Sequence, residues 1–298
     1  MFEVIRTETK QCERHGIEYQ ASTVKGFGPM PEITNGCPEC QAEALAAADQ
    51  AERVEQAQEQ RQQRSEAARR HLEMRYQMSA IPPRYLTRTF DNYRAVDVGQ
   101  QKALAACQQF ADQFGSRLET GAGLILSGRP GTGKTHLACA IANQVISQGR
   151  SALFITVAAL VRKIRSTYGN RDGLSEQDVI NDFSRVDLLI VDEVGIQRGT
   201  DSEEHLLFEV LNDRNSYYKP TILISNLNAT QMGEYIGERS MDRMREGGGR
   251  FVPFNWESYR TKVAADEDLP TAKGVVGTLQ PPRAVEQAVL DPSTEWSH

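Results

Sequence analysis

From Ile81 to about Val263 the chain alternates short, nearly unbroken apolar runs with stretches in which apolar residues recur every three or four positions. The runs LILS, ALFITV, DLLIVD, TILISN and RFVPFN are too short for helices and are bounded by polar turns, so they predict five strands. Between them helical spacing dominates, as in Leu137, Ile141 and Val145 after the first run. Strands apolar along their whole length must be covered on both faces. The pattern therefore predicts an α/β domain over 81–263 with a five-stranded parallel sheet.

Upstream this pattern is absent. Residues 41–80 contain neither glycine nor proline and are dominated by Ala, Glu, Gln and Arg, a composition that favours helix. Leu45, Val54, Leu72, Met74 and Met78 are too sparse for a heptad seam, which predicts a solvated helical linker ended by Pro82 and Pro83. Residues 1–40 are short and turn-rich and hold three of the five cysteines. After 263 the chain is rich in proline and small residues, and a mostly disordered tail is expected over 264–298.

Composition narrows the function classes. A chain of 298 residues suits one ordinary domain with appendages. No run approaches the roughly 18 apolar residues of a membrane span, and the start MFEVIRTETKQCERH has no apolar signal region, so a cytoplasmic, membrane-free protein is expected. Net charge is −6, so nucleic-acid binding would have to rest on a local patch. An odd number of cysteines without an export signal points to metal rather than a disulfide framework.

The chemistry begins at GRPGTGKT, Gly128 to Thr135, which fits G-x-x-x-x-G-K-[ST] between a predicted strand and a helix. Glycines let the backbone curl so that its N–H groups meet phosphate oxygens, and the following helix adds its positive dipole end. Lys134 would neutralise the β and γ phosphates of ATP, and Thr135 would offer its hydroxyl to Mg²⁺. The candidate nucleotide contacts are Gly128, Pro130, Gly131, Thr132, Gly133, Lys134, Thr135 and His136. A P-loop alone leaves kinases, GTPases and mechanical ATPases open. LLIVDE decides: Asp192 ends an apolar strand where it can hold Mg²⁺ through water, and Glu193 can polarise an attacking water. A second acid activates water, which a kinase must exclude. TILISN ends in Asn226, placed to orient that water or sense the γ phosphate, although asparagine also merely begins turns.

Two further constellations stand outside the nucleotide motifs. Cys12-x-x-His15 and Cys37-x-x-Cys40 give two ligand pairs suited to a closed, tetrahedral structural Zn²⁺, in a segment too small to bury a useful core without metal. The stretch VRKIRSTYGNR groups cations around an aromatic, the mixture that follows a phosphate backbone while stacking a base; Lys163, Arg165 and Tyr168 are the candidate single-stranded DNA contacts. The alternative is the polar face of an amphipathic helix with Leu160, Val161 and Ile164 inward.

The order of P-loop, DE strand, asparagine-tipped strand and late arginines resembles the AAA+ ATPases. More narrowly, FDNYR, GRPGTGKTHLACAIAN, DFSRVDLLIVDEVG, GERSMDRMREG and FNWESYRTKV resemble the DnaC-type loaders of the replicative helicase, over about 80–263. The resemblance implies an AAA+ P-loop core that self-associates, binds single-stranded DNA and delivers a DnaB-type hexameric helicase to it. It further implies that Arg243 is an arginine finger read by the next subunit's ATP, and that Arg260 is a second sensor of its own nucleotide. The amino-terminal zinc module is similar to that of DnaI-type loaders, which implies that residues 1–80 make the helicase contact. An IstB-type ATPase assisting a transposase shares the same core and is the rival reading.

Overall fold

The computed structural model describes residues 3–25, 31–168, 175–196 and 201–259. Arg260, the tail from 264 and residues 169–171 of the basic stretch lie outside these described residues. The chain divides into two compact units at Ala67/Ala68.

The first unit holds an antiparallel sheet, β1 (Glu3–Gln11), β2 (Glu18–Lys25) and β3 (Ile33–Thr34), in that spatial order. Helix α1 (Pro38–Met78) begins in this unit and ends in the second. Cys40 lies in its first turn.

The second unit is a parallel sheet with helices on both faces. After α2 (Val98–Asp112) and α3 (Phe114–Thr120), β4 (Leu124–Gly128) leads through the glycine-rich loop into α4 (Lys134–Ser147). There follow β5 (Ala152–Thr156), α5 (Val157–Arg165), α6 (Glu176–Arg185), β6 (Leu188–Val194) and α7 (Asp201–Ser216). The last elements are β7 (Thr221–Ser225), α8 (Ala229–Ile236), α9 (Glu238–Arg245) and β8 (Arg250–Phe254). The five predicted strands pair in the order β5-β6-β7-β4-β8, every pair parallel.

The unbroken apolar runs fill two cores, one per face. Leu124, Leu126, Leu188, Ile190, Ile222 and Ile224 pack with α2 and α4 on one side. The alternate residues Ile125, Leu189, Val191 and Leu223 pack with α5 to α9 on the other. Period-two alternation turns one apolar run into two buried faces.

The amino ends of the strands are bolted together by buried polar groups. Arg214, fully buried on α7, spends its five donors on Thr221 Oγ1, the carbonyls of Phe183 and Val186, and the carbonyls of Asp187 and Pro220. Asp187 in turn accepts from the Ser151 amide and hydroxyl and from Lys219 Nζ, tying the starts of β5, β6 and β7. Burial pulls the Arg214 guanidinium down to about 9, opposed by the charge of Asp187. An Arg214→Met variant leaves those acceptors without donors in the core. It is expected to lose about 3–5 kcal/mol, read as a lower urea midpoint at unchanged slope; a loss below about 1 kcal/mol would show that the bolt is dispensable.

Candidate nucleotide site and Cys/His cluster

The carboxyl ends of β4, β6 and β7 open on a cleft of about 760 Å³, within the range of small-ligand sites. Its lining includes Pro130 to His136, Asp192, Glu193 and Asn226, so the three sequence motifs meet at one place. Strand order explains the meeting. β7 lies between β4 and β6, which sets Asn226 between the glycine loop and the acidic pair.

The loop depends on glycine where its neighbours come closest. At Gly128 a Cβ would lie 2.2 Å from the Phe254 carbonyl oxygen; at Gly133, with φ +97°, it would lie 2.7 Å from the Tyr93 ring. Lys134 is 6% exposed, and its Nζ donates to the carbonyls of Gly128 (2.5 Å) and Arg129 (2.9 Å) and to Asn226 Oδ1 (3.0 Å). Thr135 Oγ1 donates to Asp192 Oδ2 at 3.1 Å. Burial holds the Asp192 carboxyl above its ordinary range, against the opposing bonds from the Glu193 amide and Thr135. A divalent cation would reverse that balance, and a hydroxyl beside a half-buried carboxylate is a donor set that fits magnesium.

Glu193 departs from regular strand geometry. Its φ is +64°, and the β6–β7 register shifts between Val191 and Val194. The irregularity takes Asp192 and Glu193 out of the ladder with β7, just where they border the cleft, while Asp192 stays paired with Thr156 of β5. His136 donates to the Thr89 carbonyl at 3.0 Å, meets Tyr93 edge-on, and is lowered in pKa chiefly by burial.

Arg243 lies at the other end of the sheet. It borders a small cavity with Gly121, Lys219 and Thr221, at the starts of β4 and β7, and its Nη1 is buried without a hydrogen-bond partner. A five-residue strand spans about 17 Å, so this side chain does not serve the cleft of its own chain. In the basic stretch Leu160, Val161 and Ile164 are buried, as an amphipathic α5 requires. Lys163 Nζ sits 5.3 Å from the Phe183 ring centroid, Arg165 donates to Ser202 Oγ, and Tyr168 is 57% exposed.

In the first unit one ligand atom from each of Cys12, His15, Cys37 and Cys40 lies within 4.8 Å of the others. Cys12 Sγ stands 3.6 Å from His15 Nδ1 and 3.7 Å from Cys40 Sγ; Cys37 and Cys40 Sγ stand 3.8 and 3.3 Å from His15 Nδ1. Tetrahedral bonding at zinc–ligand lengths gives edges of about 3.5–3.8 Å, so the residues fit that ion. His15 Nε2 donates to Glu43 Oε1 at 3.2 Å, which turns Nδ1 toward the sulfurs. The His15 backbone amide draws the Cys12 thiol down to about 6, and the bond to Cys12 pushes Cys40 up to about 11. Cys12 thus favours the thiolate and Cys40 the thiol that bonds to it, and a dication would favour the thiolate at both.

Several contacts have no counterpart in the sequence patterns: Tyr93 and Trp256, which both reach the Thr132 carbonyl, and Asn143, which donates to the carbonyls of Tyr85, Leu86 and Arg88. No helix among the described residues is long and apolar enough to cross a membrane.

A P-loop at the head of a parallel sheet, an acidic pair across from it and a polar-tipped strand between them define an ATPase of the AAA+ class. The chain belongs to the family of IstB-like ATP binding proteins, whose profile matches residues 39–266. It is 39% identical over 196 residues to the replicative helicase loader DnaC of Escherichia coli strain K12, covering 66% of this chain and 78% of that one. Against DnaC of Buchnera aphidicola subsp. Acyrthosiphon pisum the identity is 38%, over 63% and 76%. A crystal structure of the DnaC helicase loader shares the fold at 22% identity with a TM-score of 0.51, covering 58% of this chain and 99% of that one. The replication initiator DnaA bound to AMPPCP and single-stranded DNA does so at 21% identity and 0.51, covering 71% and 65%.

Proposed function

We propose that this protein loads a DnaB-type ring helicase onto single-stranded DNA in replication, with ATP binding and hydrolysis switching assembly and release. The observation that carries this reading is the 39% identity to DnaC across 78% of that loader's length. In this scheme Lys134 leaves its carbonyl partners for the β and γ phosphates, Thr135 and Asp192 hold magnesium, and Glu193 orients the attacking water. When bound, the ion neutralises charge that develops on the phosphates. Asn226, already 3.0 Å from Lys134, registers whether a γ phosphate is there.

Arg243 acts on the ATP of a neighbouring copy. Its place at the amino ends of β4 and β7, with one buried nitrogen unpartnered, supports action between subunits rather than within one. Arg260 acts on its own nucleotide. Cys12, His15, Cys37 and Cys40 hold a structural zinc, and residues 1–80 carry the helicase contact, so the chain reads as zinc module to 40, linker to 80, ATPase domain to 263 and tail. Lys163, Arg165 and Tyr168 meet the strand. The protein works in the cytoplasm.

The test is to size mixtures of this protein with a DnaB-type hexamer and single-stranded DNA, with and without ATP. A nucleotide-dependent complex with the helicase is expected, and Lys163→Ala/Arg165→Ala/Tyr168→Ala should retain less DNA. Association with a transposase but no helicase would replace the reading with the IstB-type role; association with neither would end it.

A further inference from the structure

The glycine loop is held by two aromatic side chains that belong to neither nucleotide motif and border the same cleft. Thr132, 3% exposed, stands at its crest. Its carbonyl accepts from Trp256 Nε1 at 3.0 Å and from the Tyr93 hydroxyl at 3.4 Å. The next carbonyl back, that of Gly131, accepts the backbone N–H of Tyr259 at 2.9 Å. Gly128 and Arg129 give their carbonyls to Lys134, and Gly133 gives its own to Leu137. A peptide group directs C=O and N–H oppositely, so the bonds to the Gly131 and Thr132 carbonyls fix the direction of the Thr132 and Gly133 amides at the crest.

The indole is itself fixed. Its ring lies 4.8 Å, centroid to centroid, from that of Phe254, and a Cβ on Gly99 would lie 3.4 Å from Trp256 Cε3. Tyr93 is fixed against Gly133 and edge-on to His136. Burial raises the Tyr93 phenol well above its ordinary range, so it remains a donor throughout the working pH range.

We propose that Trp256 is a positioning residue for ATP: its indole N–H, with the Tyr93 hydroxyl, sets the Thr132–Gly133 peptide. Trp256 thereby couples phosphate at the loop to residues 256–259 that follow the last strand. It acts through the carbonyl it holds. The inference rests on triphosphate sitting at the glycine loop, which Lys134→Ala tests separately.

The experiment uses the full chain. The sequence holds two tryptophans, so a Trp296→Phe background leaves Trp256 as the reporter. Its emission is expected to shift on saturation with magnesium and a non-hydrolysable ATP analogue, and to stay unmoved when Lys134→Ala is added. Trp256→Phe, in the wild-type chain, keeps an aromatic ring and removes the donor. Apparent ATP affinity should fall about 3- to 10-fold, the loss of one hydrogen bond, with kcat at saturation held within about twofold. Adding Tyr93→Phe should deepen the loss. Unshifted emission on a saturated site, or affinity in Trp256→Phe equal to wild type, would overturn the proposal. So would a kcat that falls at constant KM with a lower melting temperature, because that pattern assigns the indole to packing alone. ATP binding retained in Lys134→Ala would instead remove the loop from phosphate recognition.

Discussion

Replacing Glu193 by glutamine is expected to lower ATP turnover by about 10²- to 10⁴-fold, the usual contribution of a positioned general base, while ATP binding stays near wild type. The two acids of β6 do different work, and their surroundings separate them. Asp192 is half-buried and bonded to Thr135 and to the Glu193 amide, as its proposed magnesium role requires. Glu193 is exposed, borders the cleft, and has a backbone φ of +64° that a residue of its type adopts at a cost of order 1–3 kcal/mol. The following Gly195 also has positive φ, and a Cβ there would lie 2.3 Å from Leu227 Cδ1. Close packing thus fixes the turn and with it the direction of the glutamate. Glutamine preserves the shape and removes the basicity, so the variant should hold ATP and persist in nucleotide-bound complexes with helicase. Turnover within tenfold of wild type would take Glu193 out of the mechanism.

Stripping metal from the full-length protein is expected to melt the sheet of β1, β2 and β3 while nucleotide binding persists. Structural zinc supplies on the order of 10 kcal/mol of folding free energy in small modules, more than the sparse apolar burial of this unit offers. Val4, Ile5 and Ile33 are exposed, and among the described residues of this unit the buried apolar ones are Ala21 and Cys37. Removing the ion should therefore erase amide protection along β1 and β2, and Cys37→Ser should do so without a chelator. The protein as isolated should carry one zinc per chain. Metal-free protein with fully protected β1 and β2 amides would refute the structural role.

How far these features were legible in the chain follows from where their information lies. The five strands could be read because burial on both faces leaves a continuous apolar run, and the P-loop because its spacing is itself the binding geometry. Strand order could not, since β4 pairs with β7 and β8 across long crossovers that leave no local mark. The amino-terminal strands were also hidden: EVIRTETKQ is mostly polar, and residues 1–40 read as turns although threonine and valine favour extended backbone. Arg214 carries no signal for burial, because its acceptors come from the segments around residues 183–187 and 220–221. The Trp256 bond to Thr132 closes across 124 positions and could not be seen by spacing at all.

The polar bolt at the strand starts has a practical corollary. Asp187 and Arg214 secure the sheet at the rim remote from the cleft, so the opposite rim can exchange its chemistry without loosening the scaffold. Inherited variation in such a protein should therefore sort by rim. Changes beside the cleft would yield well-folded but silent molecules, while changes beneath it would yield competent molecules in short supply.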